Sequence, residues 1–146
     1  MIVVVDANIV ISAIINPQGI IPFLLFNASD KIDFVVPQFI MEEIELHQTK
    51  IIKAAKITKP IFQLLFTAIK ENLLIFSDDL IDEESLDKAI ALIKNIDEKD
   101  TIYVAFAITL DALFWTGDIK LKNALAKKGF TNSVSTKQFN EIVKGL

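Results

Sequence analysis

The chain has 146 residues, 52% of them hydrophobic and 23% charged, with a mean hydropathy of +0.46, no cysteine and a single histidine. This length and apolar content suit one unit with one core, so residues 1–146 are read as a single domain and a disordered chain is excluded. Without cysteine there are no disulfides, thiolate metal sites or cysteine nucleophiles, and one histidine cannot build an imidazole cage.

A formal charge of −4 and a pI near 5.0 argue against a module that grips nucleic acid by bulk charge. All 15 cationic side chains are lysine, so no guanidinium fork is present for bidentate phosphate or guanine recognition. No apolar run has the length of a membrane span, and the start Met1-Ile2-Val3-Val4-Val5-Asp6 has neither a basic leader nor a small-residue cleavage site. A soluble, unsecreted, cytoplasmic protein with no membrane association is expected.

Ile2 to Val5 is a wholly apolar, β-branched run, as in a strand buried on both faces, and Asp6 ends it. A helix is expected from Ala7 to Ile15, then the loop Asn16-Pro17-Gln18-Gly19, then a second apolar helix to about Asn27. Phe34-Val35-Val36 is a short strand stopped by Pro37. The pattern from Pro37 to about Ile57 is helical, and Lys59-Pro60 opens another helix reaching about Asn72. Leu74-Ile75-Phe76 reads as a strand, Ser77 to Asn95 as an acidic cap and helix, and Asp97 to Leu110 as a further helix. Leu113 to Thr116 is a strand closed by Gly117-Asp118, and a last helix, a short strand at Ser133-Val134-Ser135 and a final helix follow. Strands alternating with helices predict a parallel sheet covered on both sides, a three-layer α/β/α sandwich.

In such sheets ligands sit beyond the carboxyl ends of the strands. Asp6 and Asp118 both stand at strand ends, and on neighbouring strands about 4.8 Å apart one divalent ion spans them. Either aspartate alone also makes an ordinary helix cap. Asp100 heads the apolar run Tyr103 to Ile108 and shares a helical stripe with Val104, Ala107 and Asp111, so its carboxylate is expected to be buried and to need a cation. Asp97 is the expected cap of that helix.

On a helical wheel for Pro37–Ile57, Ile40, Ile44, His47, Ile51, Ala54 and Ala55 share one arc. Glu43 lies at its edge, whereas Glu42 and Glu45 project with Lys53 and Lys56 to the solvated side. Asp6, Glu43, Asp100 and Asp118 are thus directed to one crevice. They cannot all stay ionised there without countercharge, and hard oxygen-binding ions such as Mg²⁺ or Mn²⁺ supply it. Such ions activate water against a phosphate ester, which brings phosphate in as third party.

At these residues the chain resembles the PIN domain family, metal-dependent nucleases that include VapC-type toxins. The resemblance rests on Val3-Val4-Val5-Asp6-Ala7-Asn8-Ile9, on the proline-led Pro37-Gln38-Phe39-Ile40-Met41-Glu42-Glu43-Ile44, on Asp97-Glu98-Lys99-Asp100-Thr101, and on Trp115-Thr116-Gly117-Asp118, in that order along the whole chain. It implies one or two Mg²⁺ or Mn²⁺ ions held by Asp6, Asp100 and Asp118 with Glu43 assisting, and hydrolysis of phosphodiester bonds in single-stranded RNA. It also implies a cognate antitoxin as partner, and a homodimer. The positions after Asp118 read Ile119-Lys120-Leu121, without the further acid many members carry. Lys120 is a candidate for a phosphate contact, Asn8 for orienting Asp6, and Thr116 for positioning water or phosphate.

A catalytically inactive binding module of the same fold is the second reading. The lysines at 50, 53, 56 and 59 read as a solvated face, and Phe62, Leu65, Phe66 and Ile69 as core or a subunit seam.

Overall fold

In the computed structural model, which describes residues 1–146, five parallel strands form one sheet in the order β3-β2-β1-β4-β5. The strands are β1 (Ile2–Val5), β2 (Asp33–Pro37), β3 (Leu74–Phe76), β4 (Leu113–Trp115) and β5 (Ser133–Val134). Nine helices connect and cover them: α1 (Ala7–Ile15), α2 (Ile20–Asn27), α3 (Ile40–Leu46), α4 (Gln48–Ala55), α5 (Lys59–Lys70), α6 (Glu83–Ile93), α7 (Thr101–Thr109), α8 (Ile119–Lys127) and α9 (Thr136–Lys144).

The register sets the two faces of the sheet. Val4 of β1 pairs with Phe114 of β4, and Val5 with Trp115, so these neighbours alternate between the faces. On one face Tyr103 of α7 stacks on Phe114 with ring centroids 5.8 Å apart. On the other, Phe139 of α9 packs against Trp115 at 4.5 Å and Phe34 at 6.0 Å. Helices therefore cover both faces, giving the α/β/α sandwich that the alternation of strands and helices predicts. Its interior is a single cluster of 36 buried apolar residues. Val3, Val4 and Val5 have no exposed surface, which is why β1 carries no polar alternation. No single helix is long and apolar enough to cross a membrane.

Three local expectations are revised. The helix read across Pro37–Ile57 is two helices, because the chain turns at His47, which leaves helical geometry at φ −95°, ψ 9°. The wheel for the whole stretch consequently fails beyond the turn: Ile40, Ile44 and Ile51 are buried, but Ala54 is exposed. Asp100 does not lie within α7. It ends the short 3₁₀ turn Glu98–Asp100 that leads into the helix, and Asp111, beyond the other end, is exposed with a left-handed φ of 49°. The stripe of four residues therefore does not form. Asp97 caps the 3₁₀ turn by accepting a hydrogen bond from the Lys99 N–H at 3.1 Å.

In α5, Phe62, Phe66 and Ile69 are buried and Leu65 is partly so, which assigns that stripe to the core. The helix instead exposes Ile61 and Leu64. Lys50, Lys53, Lys56 and Lys59 are all exposed, consistent with a solvated face.

Candidate active site

Because β1 and β4 are adjacent and parallel, Asp6 and the Thr116-Gly117-Asp118 turn leave the sheet side by side at its carboxyl edge. Asp6 is 3% exposed. Its Oδ2 accepts a hydrogen bond from the Thr116 hydroxyl at 2.7 Å, and its Oδ1 accepts one from the backbone N–H of Asn8 at 3.3 Å. Thr116 Oγ1 in turn accepts the Asp118 N–H at 3.1 Å. One buried hydroxyl thus joins the aspartates of two strands. Asp118 Oδ1 accepts the Leu121 N–H at 3.0 Å and caps α8, while its second oxygen is left out of that bond. The capping and the site-forming readings of Asp118 are compatible, since they use different oxygens.

Glu43 approaches from α3, within electrostatic reach of Asp6. Its residue is partly buried, and Oε2 is a fully buried oxygen with no hydrogen-bond partner. A buried carboxylate oxygen without a donor is costly, so it marks a place where a ligand group is wanted. Burial, and next the Asp6 charge, push the Glu43 carboxyl above its ordinary range, while His47 and Lys99 pull the other way. Asp100 enters from the 3₁₀ turn. Burial together with the charges of Asp6, Asp97, Asp118 and Glu43 pushes it up to about 7. Asp6 is raised as well, chiefly by burial, with Asp118 adding to the effect and the Thr116 hydrogen bond opposing it. Electrostatic coupling thus links Asp6 to Asp118 and to Glu43, and Asp100 to each of these three.

They do not form a ready-made cage: no three of the acidic or histidine side chains are close enough to hold an ion without adjustment. Four like charges with no countercharge repel, and proton uptake and separation are the two ways to relieve this. The residues nevertheless fit a hard divalent cation, since the donors are all carboxylate oxygens and one of them, Glu43 Oε2, is buried without a donor.

The secondary candidates divide differently from expectation. Asn8 touches Asp6 through its backbone N–H, and its side chain is exposed. The orienting role foreseen for Asn8 belongs to Thr116, which is completely buried and so is not free to bind phosphate directly. Lys120 is exposed and, with Asp97, Asp100 and Asp118, lines a hollow of about 350 Å³.

Two participants escape the sequence pattern. The Tyr103 hydroxyl accepts the Ala7 N–H at 3.2 Å, which places a phenol beneath Asp6, and burial followed by the Asp6 and Glu43 charges raises its ionisation far above the usual range. Tyr103 sits within an apolar helix and is the chain's only tyrosine, so only its polar tip distinguishes it from core. Lys99 lines a second hollow, of about 540 Å³, with Phe39, Glu43 and His47. In sequence it looks like one more surface lysine between acids.

The sequence profile of the PIN domain family matches residues 4–140. Among solved structures, the fold is similar to a chain in the crystal structure of VapBC2 from Rickettsia felis bound to a DNA fragment from their promoter, with a TM-score of 0.68 and 16% sequence identity, covering 92% of this chain and 97% of that one. No curated protein matches by sequence. The likeness at 16% identity speaks for the fold, and the profile match over nearly the whole length identifies the family: the chain belongs to the PIN domain family.

Proposed function

We propose that residues 1–146 act as one Mg²⁺- or Mn²⁺-dependent endoribonuclease unit that hydrolyses phosphodiester bonds in single-stranded RNA. The supporting observation is the convergence of Asp6, Glu43, Asp100 and Asp118 from four separate elements, with Asp6, Glu43 and Asp100 each held above the ordinary carboxylate range by burial and by the others. A divalent ion bound among them supplies countercharge and Lewis acidity toward phosphate oxygen and water.

The chain's own groups have separable tasks. Asp6, Asp100 and Asp118 offer carboxylate oxygens, and Glu43 completes the set from α3. Thr116 fixes the rotamer of Asp6 and the position of the Asp118 backbone at once. Lys120, a point charge at the mouth of the hollow next to Asp100 and Asp118, balances a scissile phosphate as charge builds on it. Tyr103 and Phe39, edge to face at 5.5 Å, wall the site beneath Asp6 against bulk water.

The chemistry and the family together support a cytoplasmic toxin of a toxin–antitoxin pair, kept silent by a cognate antitoxin and working as a homodimer. The solved complex to which the fold is similar is itself a VapBC2 assembly on promoter DNA, which supports a protein partner of that kind.

Purified protein incubated with labelled single-stranded RNA tests the reading. Cleavage is expected with Mn²⁺, to be abolished by EDTA, and to be lost in Asp6→Asn and Asp100→Asn. Equal residual cleavage in wild type and variants would trace to contamination and leave the chain as a PIN-fold binding module.

A further inference from the structure

We propose that the cleft between α8 and α9, over the edge strand β5, holds the RNA strand that flanks the scissile bond, with Lys122 and Lys137 contacting its phosphates; this rests on the endoribonuclease reading of the carboxylate site. The charge of the chain is sharply divided. Residues 119–146 hold six of the 15 lysines and one acidic residue, Glu141, whereas residues 1–118 hold nine lysines and 18 acids. An acidic protein thus ends in a strongly basic unit, and that unit is the α8-β5-α9 edge of the sheet.

Most of that charge is unopposed. Glu141 pairs with Lys144 at 3.3 Å, and Lys128 donates to the Lys94 carbonyl. Lys120, Lys122, Lys127 and Lys137 enter no salt bridge, since the chain's ion pairs are Lys88–Glu84 and Lys144–Glu141. Lys122 and Lys137 face the same cleft of about 750 Å³ from the first turns of α8 and α9, with apolar Ala126 and Ile142 on its walls. Among its lining residues Ser133 is 5% exposed, and its hydroxyl has no hydrogen-bond partner within the chain. Lysines over apolar walls suit a single strand, whose phosphates take the charge and whose bases take the apolar surface.

Continuity with the carboxylates comes from α8. Lys120 lines the hollow at Asp100 and Asp118, and Lys122, two residues on in the same turn, lines the cleft. Because β4 and β5 are parallel, α8 and α9 both start at the carboxyl edge of the sheet, so their first turns, with Lys122 and Lys137, bring the cleft to the edge at which Asp118 stands. A strand leaving the scissile position therefore crosses the first turn of α8 into the cleft.

Binding of a fluorescein-labelled oligouridine by anisotropy, in an Asp100→Asn background that holds RNA without cutting it, is the test. Lys122→Gln with Lys137→Gln is expected to weaken binding, and the gap to the parent to narrow about sevenfold from about 50 to about 200 mM salt, as two lost phosphate contacts require on a single strand. Lys122→Arg with Lys137→Arg should restore it, and Lys50→Gln with Lys53→Gln, which removes the same charge from the exposed face of α4, should leave it unchanged. In the active chain the cleft pair should raise KM and spare kcat. Equal weakening by both glutamine pairs would reduce the effect to bulk charge and overturn the proposal. So would unchanged RNA affinity, including the case in which the cleft pair weakens only the binding of polyglutamate and so marks a site for acidic protein. RNA held in the cleft but never cut by the wild-type chain would sink the endoribonuclease reading and leave the cleft standing, whereas cutting with unaltered affinity in the cleft pair would do the reverse.

Discussion

The Thr116 hydroxyl donates to Asp6 Oδ2 at 2.7 Å while accepting the Asp118 N–H at 3.1 Å, so one side chain just past β4 sets the geometry of the acids that follow two strands. Thr116→Val keeps the shape and removes both bonds. It is expected to lower the unfolding free energy by about 1–3 kcal/mol, the cost of stranding buried polar groups. It should also weaken Mn²⁺ binding by about 10- to 100-fold, as loss of a ligand-orienting partner does. Thr116→Ser should recover most of both. Calorimetric titration with Mn²⁺ and thermal melts separate the two effects, and unchanged Mn²⁺ affinity in Thr116→Val would make the threonine a purely structural residue.

Glu43 Oε2 is buried without a partner, and its neighbour in charge is Asp6. Glu43→Gln removes one of the mutually repelling charges, so the metal-free protein should melt no lower than wild type near neutral pH and above it if repulsion dominates. Cleavage of RNA should nonetheless fall. A clear drop in melting temperature for Glu43→Gln in EDTA would identify the glutamate as part of the scaffold.

The pH dependence of the metal-free fold follows from Asp100, raised from 3.8 to about 7. Below 3.8 the carboxyl is protonated in folded and unfolded chains alike, and its contribution to stability is fully present. As pH climbs from there toward about 7, the unfolded chain has released a proton that the folded chain still holds, so stability declines; above about 7 the contribution is gone. Asp6 and Glu43 shift in the same direction and add to the slope. Melts in EDTA should therefore show a falling midpoint across this window, shallower in Asp100→Asn. Mn²⁺ should flatten it, with protons released on binding near neutral pH. A midpoint that rises with pH in EDTA would contradict the arrangement.

Lys120 stands at the mouth of the hollow that Asp100 and Asp118 line. Lys120→Gln should leave Mn²⁺ affinity and melting temperature close to wild type and reduce kcat by about tenfold, a modest share of what an electrostatic stabiliser supplies. A change confined to KM would move Lys120 from the reacting phosphate to the flanking strand.

How far the fold was legible follows from the kind of signal each element carries. β1 declares itself because a strand buried on both faces needs an unbroken apolar run, and Asp6 is conspicuous at its end. That the strands run parallel follows from their alternation with helices, since parallel neighbours need crossovers, whereas their order β3-β2-β1-β4-β5 has no local signal in the sequence. The break at His47 was hidden because Glu42 to Ala55 continues helix-forming residues through it, and nothing local marks the turn. The expected stripe of Asp100 with Val104 and Ala107 was misleading: Asp100 ends a 3₁₀ turn ahead of the helix, and its burial comes from the elements around it. The side-chain bond to Asp6 expected of Asn8 is made by Thr116, because the sequence shows which polar groups adjoin Asp6 along the chain but not which one lies across the sheet. Tyr103 meets Ala7 by a hydrogen bond across 96 residues of sequence, and Lys99 shares a hollow with Glu43, 56 residues away, and acts on it by charge; no spacing rule reaches that far.

The most direct measurement is a crystal structure grown with Mn²⁺, read in an anomalous difference map. The account predicts density for at least one ion ligated by oxygens of Asp6, Asp100 and Asp118, with Glu43 turned toward it. Full-occupancy protein in saturating Mn²⁺ with those carboxylates apart and no anomalous peak among them would contradict it.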